Sequence, residues 1–147
     1  MKSAEAAAAL SAMQQSRERL AAAADCPPQR HLAFALLLGG VVAAQAAPPT
    51  WTLVIEGLLG LGVAAVIAWD RKRTGMFING YRAGRTRPLT FAMLFMALAL
   101  GALGVWLKHG LGLVWAPVVC GVAVTAVAYM MSAVWQRIYR RELRDAV

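Results

Sequence analysis

The chain alternates long apolar runs with short charged blocks, and the runs have the length of membrane-crossing helices. Leu32 to Ala47 is the first run and stops at Pro48 and Pro49; Trp51 to Trp69 is the second and holds one acid, Glu56. After a basic stretch from Asp70 to Pro88 come a third run, Leu89 to Leu107, a Lys108-His109-Gly110 turn, and a fourth run, Leu111 to Trp135. A soluble domain mixes charge through its helices, whereas here the charges sit between the runs, so the solvent for the runs is lipid. The first two runs are near the lower limit of the ~17 to 25 residues that a span needs, and read together as a hairpin with a short turn. The pattern predicts an all-α membrane protein, an antiparallel bundle of four transmembrane helices within residues 31–135, with spans at about 32–47, 51–69, 89–107 and 111–135.

Outside the bundle, the stretch from Ser3 to about Ala24 is Ala-rich and free of Gly and Pro, which predicts a helix that Pro27 and Pro28 end. Its apolar stripe, Leu10, Met13 and Leu20, is thin and interrupted by Arg17, so residues 1–30 are expected to form a solvated or partner-bound cytoplasmic helix and linker. The charged tail, residues 136–147, is expected to prolong the last helix. Ala44-Gln45-Ala46 has the form of a signal-peptidase site, and cleavage there would leave three spans. A charged leader of about thirty residues is long for a secretory signal, which favours four.

Composition agrees with the pattern: 60% of the 147 residues are apolar and 15% charged, leaving little polar surface for water. The excess of 15 Lys and Arg over 7 Asp and Glu would point to nucleic acid in a soluble protein. Here membrane topology accounts for it, and no nucleic-acid partner is expected. Lys2, Arg17, Arg19 and Arg30 precede the first span; Arg71, Lys72, Arg73, Arg82, Arg85 and Arg87 occupy the middle stretch; Arg137, Arg140, Arg141 and Arg144 follow the last. All lie on one side, against Lys108 alone on the other, and the positive-inside bias makes the crowded side, with both termini, cytoplasmic. Trp51, Trp106 and Trp115 mark the outer ends of spans, and Trp69, Trp135 and Tyr139 the inner ends. Cys26 and Cys120 fall at different levels and do not read as a pair.

Glu56 is the acid inside a run, and an ionisable group in lipid is costly unless paired, which makes it the intramembrane candidate. Gly60, Ala64 and Ala68 follow it at helical spacing, so Glu56 is expected to face protein across a row of small residues. It lies about 7 to 8 Å inside Trp51. At that depth it can lock the bundle by accepting from Lys108, His109 or Gln45, or it can serve a proton- or cation-coupled site. The middle stretch offers different chemistry. Asn79-Gly80 between Phe77-Ile78 and Tyr81-Arg82 is a hairpin signal, and Arg82, Arg85 and Arg87 with Arg71, Lys72 and Arg73 could gather phosphate oxygens or anionic lipid headgroups.

Small residues recur at Gly40 and Ala44, at Ala97, Gly101 and Gly104, and at Gly121, Thr125, Ala128 and Ser132, which predicts close helix contacts within the chain or with a homo-oligomer or membrane-protein partner. No nucleophile motif, zinc-type histidine pair or P-loop is present, and His31 and His109 are predicted on opposite sides of the membrane, so neither enzymatic activity nor a metal or cofactor is expected.

Two resemblances bear on this picture. Arg71 to Pro88, with Arg-Lys-Arg-Thr-Gly at its start and Asn-Gly-Tyr-Arg-Ala-Gly-Arg-Thr-Arg at its end, resembles the central loop of small uncharacterised four-span membrane proteins of high-GC bacteria. That implies the bacterial inner membrane and no known activity. Small multidrug-resistance transporters also have four short helices and a solitary membrane glutamate and act as homodimers, but theirs lies in the first span and Glu56 in the second. A scaffold or accessory component is therefore the expected function, with a Glu56-dependent transporter as the competing one.

Overall fold

The computed structural model describes residues 2–23, 27–74 and 86–145, arranged as five α-helices: α1 (Lys2–Ala23), α2 (Pro28–Ala44), α3 (Pro49–Thr74), α4 (Arg87–Leu111) and α5 (Ala116–Asp145). The fold is all-helical, and three of the helices are long and apolar enough to cross a membrane: Pro49–Arg73, Arg87–Leu111 and Ala116–Glu142. The fourth expected span, α2, has 17 residues and a length of about 25 Å, less than the ~30 Å of a hydrocarbon core.

Each boundary has a local cause. Pro28 stands in the first turn of α2, where a missing N–H costs nothing, and Pro27 before it is extended. At the other end the helix tightens: Gln45, Ala46 and Ala47 each donate to the carbonyl three residues back, at 3.3, 3.0 and 3.0 Å. The first run therefore leaves α-geometry at Ala44, three residues before its expected end. The Thr52 hydroxyl closes the hairpin on the carbonyls of Ala44 and Pro48, both at 3.1 Å. The turn predicted at Lys108-His109-Gly110 instead lies at residues 112–115. Gly110 stays helical under Trp106, and Gly112 takes the positive φ of 71° that ends α4, with the Leu113 amide on Leu107 O at 3.2 Å. The charged tail continues α5 as expected, and Trp135 stacks on Tyr139 at 5.1 Å between centroids. The Asn79-Gly80 hairpin signal lies outside the described residues.

The core is where α2 crosses α5. Gly39 and Gly121 meet there so closely that a Cβ on Gly121 would be 2.6 Å from Gly39 O and 2.9 Å from Ala43 N. Val42, Ala97, Cys120 and Val124 form the buried cluster beside this crossing. Helix α4 joins through Gly104, whose absent side chain admits the Pro117 Cα (3.1 Å to a built Cβ). These contacts bear out the close-packing use of Ala44, Ala97, Gly104, Gly121 and Ala128. The row that carries the crossing on α2 is Ala35-x-x-x-Gly39-x-x-x-Ala43, one register away from the Gly40-x-x-x-Ala44 row singled out from the sequence.

Helix α3 stands apart. Its extended contact is with α2 alone, by Leu59 over Gly40 and Leu37 over Gly62, and none of residues 49–69 is fully buried. Helix α1 runs beside α5 with its described side chains exposed, including Leu10 and Met13.

Candidate functional site

The polar side chains of the bundle collect in two layers, one at each end of α2, and together they fasten α3 to the rest of the molecule. At the end of α2 that meets the start of α3, the Gln45 amide nitrogen donates to Glu56 Oε1 at 2.6 Å. Glu56 is half-buried, one turn beyond Thr52 and so level with the end of α2. Lys108 reaches the same layer from α4 but does not pair with Glu56. Its ammonium donates to the carbonyls of Gln45 (2.6 Å), Ala47 (3.2 Å) and Ala46 (3.3 Å), the groups that the tightened end of α2 leaves without helical partners. A cation at a helix C-terminus also meets the negative end of its macrodipole. The three intramembrane candidates, Glu56, Gln45 and Lys108, are thus brought together through Gln45, whose side chain serves the acid and whose backbone serves the base. His109 is exposed and takes no part.

The small-residue row assigned to Glu56 is a correction. Gly60, Ala64 and Ala68 are exposed, and a Cβ on Gly60 would meet nothing within 4 Å. Each step of four residues turns about 40° beyond a full rotation, so by Ala68 the row has left the side of Glu56 by roughly 120°. The packed side runs through Thr52, Ile55, Leu59, Gly62, Val63, Val66 and Asp70. Glu56 borders this side and faces Gln45.

The second layer is at the opposite end. Arg30, in the first turn of α2, pairs with Asp70 of α3 at 3.0 Å, with side chains 16% and 12% exposed. The next residue, His31, is buried and shares a 2.7 Å hydrogen bond between Nδ1 and the Ser132 hydroxyl of α5. Sequence reasoning read Arg30 as a topological charge and Asp70 as the start of a basic stretch, and so missed the ion pair between them. The available signal was that Asp70 is the single acid between Glu56 and Glu142, set against a block of cations.

Around this layer lie the basic candidates. Arg71, Lys72, Arg73 and Arg87 are exposed, with Arg73 over the Trp69 ring at 5.9 Å and Arg87 over Phe91 at 5.7 Å. Arg137 and Arg141 of α5 are exposed near the same end. Arg82 and Arg85 lie outside the described residues. Between the layers, α2, α3, α4 and α5 line a largely apolar crevice of about 390 Å³, with Arg30, Thr90 and Ser132 as its polar lining.

Replacing Glu56 by Gln tests what the first layer does. A lock keeps a hydrogen bond with Gln45 but loses its charge-assisted character, so a loss of about 1 to 2 kcal/mol is expected in denaturant or thermal unfolding in detergent. Proton release that disappears in the variant with stability unchanged would mean that Glu56 titrates as a working group instead. Comparison with family models, curated proteins and solved structures returns no match to this chain.

Proposed function

We propose that the protein is a non-enzymatic, four-span component of a bacterial inner membrane, with both termini and residues 70–88 in the cytoplasm and a basic cytoplasmic face that gathers anionic lipid headgroups. The observation that carries this reading is the contrast between the two ends of the bundle. At one end Arg71, Lys72, Arg73, Arg87, Arg137 and Arg141 are exposed; at the other, the single Lys108 is occupied by three carbonyls. A basic cluster next to the apolar belt attracts anionic lipid by about 1 kcal/mol per cation near the surface. The positive-inside bias supports the orientation, and exposed Trp51, Trp106 and Trp115 at the far end supply its aromatic belt.

Membership of α2 among the spans rests on where its ends lie. It runs from Arg30, level with Asp70 and Ser132, to Gln45, level with Glu56 and Lys108. Glu56 and Asp70 are 14 residues apart on α3, about 21 Å, so α2 covers most of the depth that α3 crosses. Helix α2 packs against α3, α4 and α5, and its exposed side chains Leu32, Leu36 and Val41 are apolar, as a lipid-facing stripe requires.

The test is lipid enrichment in phosphatidylcholine vesicles carrying a trace of pyrene-labelled phosphatidylglycerol, read by energy transfer from the tryptophans. Wild type should enrich the anionic probe several-fold over pyrene-labelled phosphatidylcholine, and the triple change Arg71→Gln, Lys72→Gln, Arg73→Gln should remove most of that while leaving insertion intact. Equal transfer from the two probes in wild type, or no response to the triple change, would refute the basic-face reading. For the competing transporter reading, Glu56→Gln would abolish proton-coupled uptake in the same vesicles. The Gln45 hydrogen bond supports the lock instead.

A further inference from the structure

The crevice at the basic end has the dimensions and lining of a site for one lipid chain. On α2 its apolar lining extends from Phe34 to Val41, 7 residues or about 10 Å, beginning one turn beyond Arg30. Its volume of about 390 Å³ falls in the range of ligand sites, and its depth is lined by Phe34, Leu38, Val63, Met93 and Met131. The polar lining is gathered at one end: Arg30, Thr90 and Ser132, with Trp135 beside them. Helices α3 and α4 flank α2 without an extended contact between them, so the crevice opens sideways, toward the acyl region.

Cations stand beside this polar end. Arg87 begins α4 two residues before the crevice residue Leu89, and Arg71 and Arg73 follow Asp70, which binds Arg30 at the rim. An apolar crevice of about 390 Å³, side access from lipid and a cationic rim are the features that an anionic phospholipid complements.

We propose that this crevice holds one acyl chain of an anionic phospholipid from the same leaflet, with its phosphate at the rim near Arg87 and the Arg71–Arg73 cluster. The proposal rests on the basic-face reading for its headgroup selection and adds to it a stoichiometric site with a buried chain. Bulk attraction to charge needs no such site.

Native mass spectrometry of the detergent-solubilised chain, with dioleoyl phosphatidylglycerol and dioleoyl phosphatidylcholine added in equal amounts, separates the two. Wild type is expected to keep one phosphatidylglycerol, at about tenfold preference over phosphatidylcholine. Val63→Trp and Met93→Trp fill the crevice from opposite flanks, and each should lower retained lipid about tenfold while preserving the vesicle enrichment due to Arg71, Lys72 and Arg73. Arg87→Gln should keep the chain but reduce the headgroup preference. A readout that needs no filled crevice accompanies these: phosphatidylglycerol brominated along its chains should quench wild-type fluorescence by an increment that Trp135→Phe removes. Full lipid retention by both tryptophan variants, or an increment independent of Trp135, overturns the chain site even where vesicle enrichment persists. Equal retention of the two lipids overturns its anionic selectivity.

Discussion

Gly121→Val is expected to lower the stability of the protein by about 3 kcal/mol or more, because its side chain would enter the α2–α5 crossing. The first added carbon would lie 2.6 Å from Gly39 O, 2.8 Å from Ala43 Cβ and 2.9 Å from Ala43 N. Two of those neighbours are backbone atoms and cannot rotate away, so α2 itself must move. Movement there is expensive because Val42, Cys120 and Val124 pack beside the contact, and a shift that relieves Gly121 opens space next to them. The reciprocal change, Gly39→Val, meets Gly121 O at 2.5 Å from its Cβ and should behave alike. Gly57→Val is the control, since nothing lies within 4 Å of a Cβ there, and its cost should stay within about 0.5 kcal/mol. Unfolding of the three variants in mixed micelles decides the matter. Similar midpoints for Gly121→Val and Gly57→Val would mean that the close crossing does not hold the bundle together.

That crossing shows how far the sequence could be read. Long apolar runs, proline stops and small residues at four-residue spacing are each local, and they led to the helices and to close packing among them. The register of contact was legible but passed over: Gly39 and Gly40 are adjacent, yet the row through Gly39 has Ala35 and Ala43 beside it, whereas the row through Gly40 carries Leu36. For Glu56, Gln45 was among the foreseen partners because the two residues flank one short turn. Lys108 was foreseen as a partner for the acid, yet carbonyls at the end of α2 carry the same electrostatic sign, and Pro48 and Pro49, which have no N–H to offer them, were read only as helix stops. The Gly60-Ala64-Ala68 row failed for a geometric reason, since a strict four-residue repeat drifts around a helix of 3.6 residues per turn. Arg30 and Asp70 went unnoticed because positive-inside reasoning counts charges by side and asks nothing about which acid they meet.

Asp70→Leu is expected to cost about 3 kcal/mol, whereas Arg30→Leu with Asp70→Leu together should cost clearly less than Asp70→Leu alone. The asymmetry follows from what each change leaves behind. Arg30 and Asp70 are 16% and 12% exposed, so removing the carboxylate takes the ion-pair partner from a guanidinium in a partly desolvated site near Arg71, Lys72 and Arg73. Removing both charges leaves two apolar side chains between helices that already meet through Leu37 and Leu59, and such replacements of ion pairs are often neutral. The consequence is sharpest for α3, which leans on α2 and is fixed at its ends by Gln45–Glu56 and Arg30–Asp70. Loss of the Asp70 anchor should free the end of α3 that carries Arg71, Lys72 and Arg73, while the Glu56 end holds. A double-mutant cycle on thermal unfolding, with spin labels at the two ends of α3, measures both effects together. Additive costs for the two leucines, with equal mobility at both ends, would show that the pair is a surface contact and that α3 is held by apolar packing alone. A coupling of 1 kcal/mol or more, roughly the range for residues in direct contact, with mobility confined to the Asp70 end would make the ion pair the device that holds the basic cluster against the bundle.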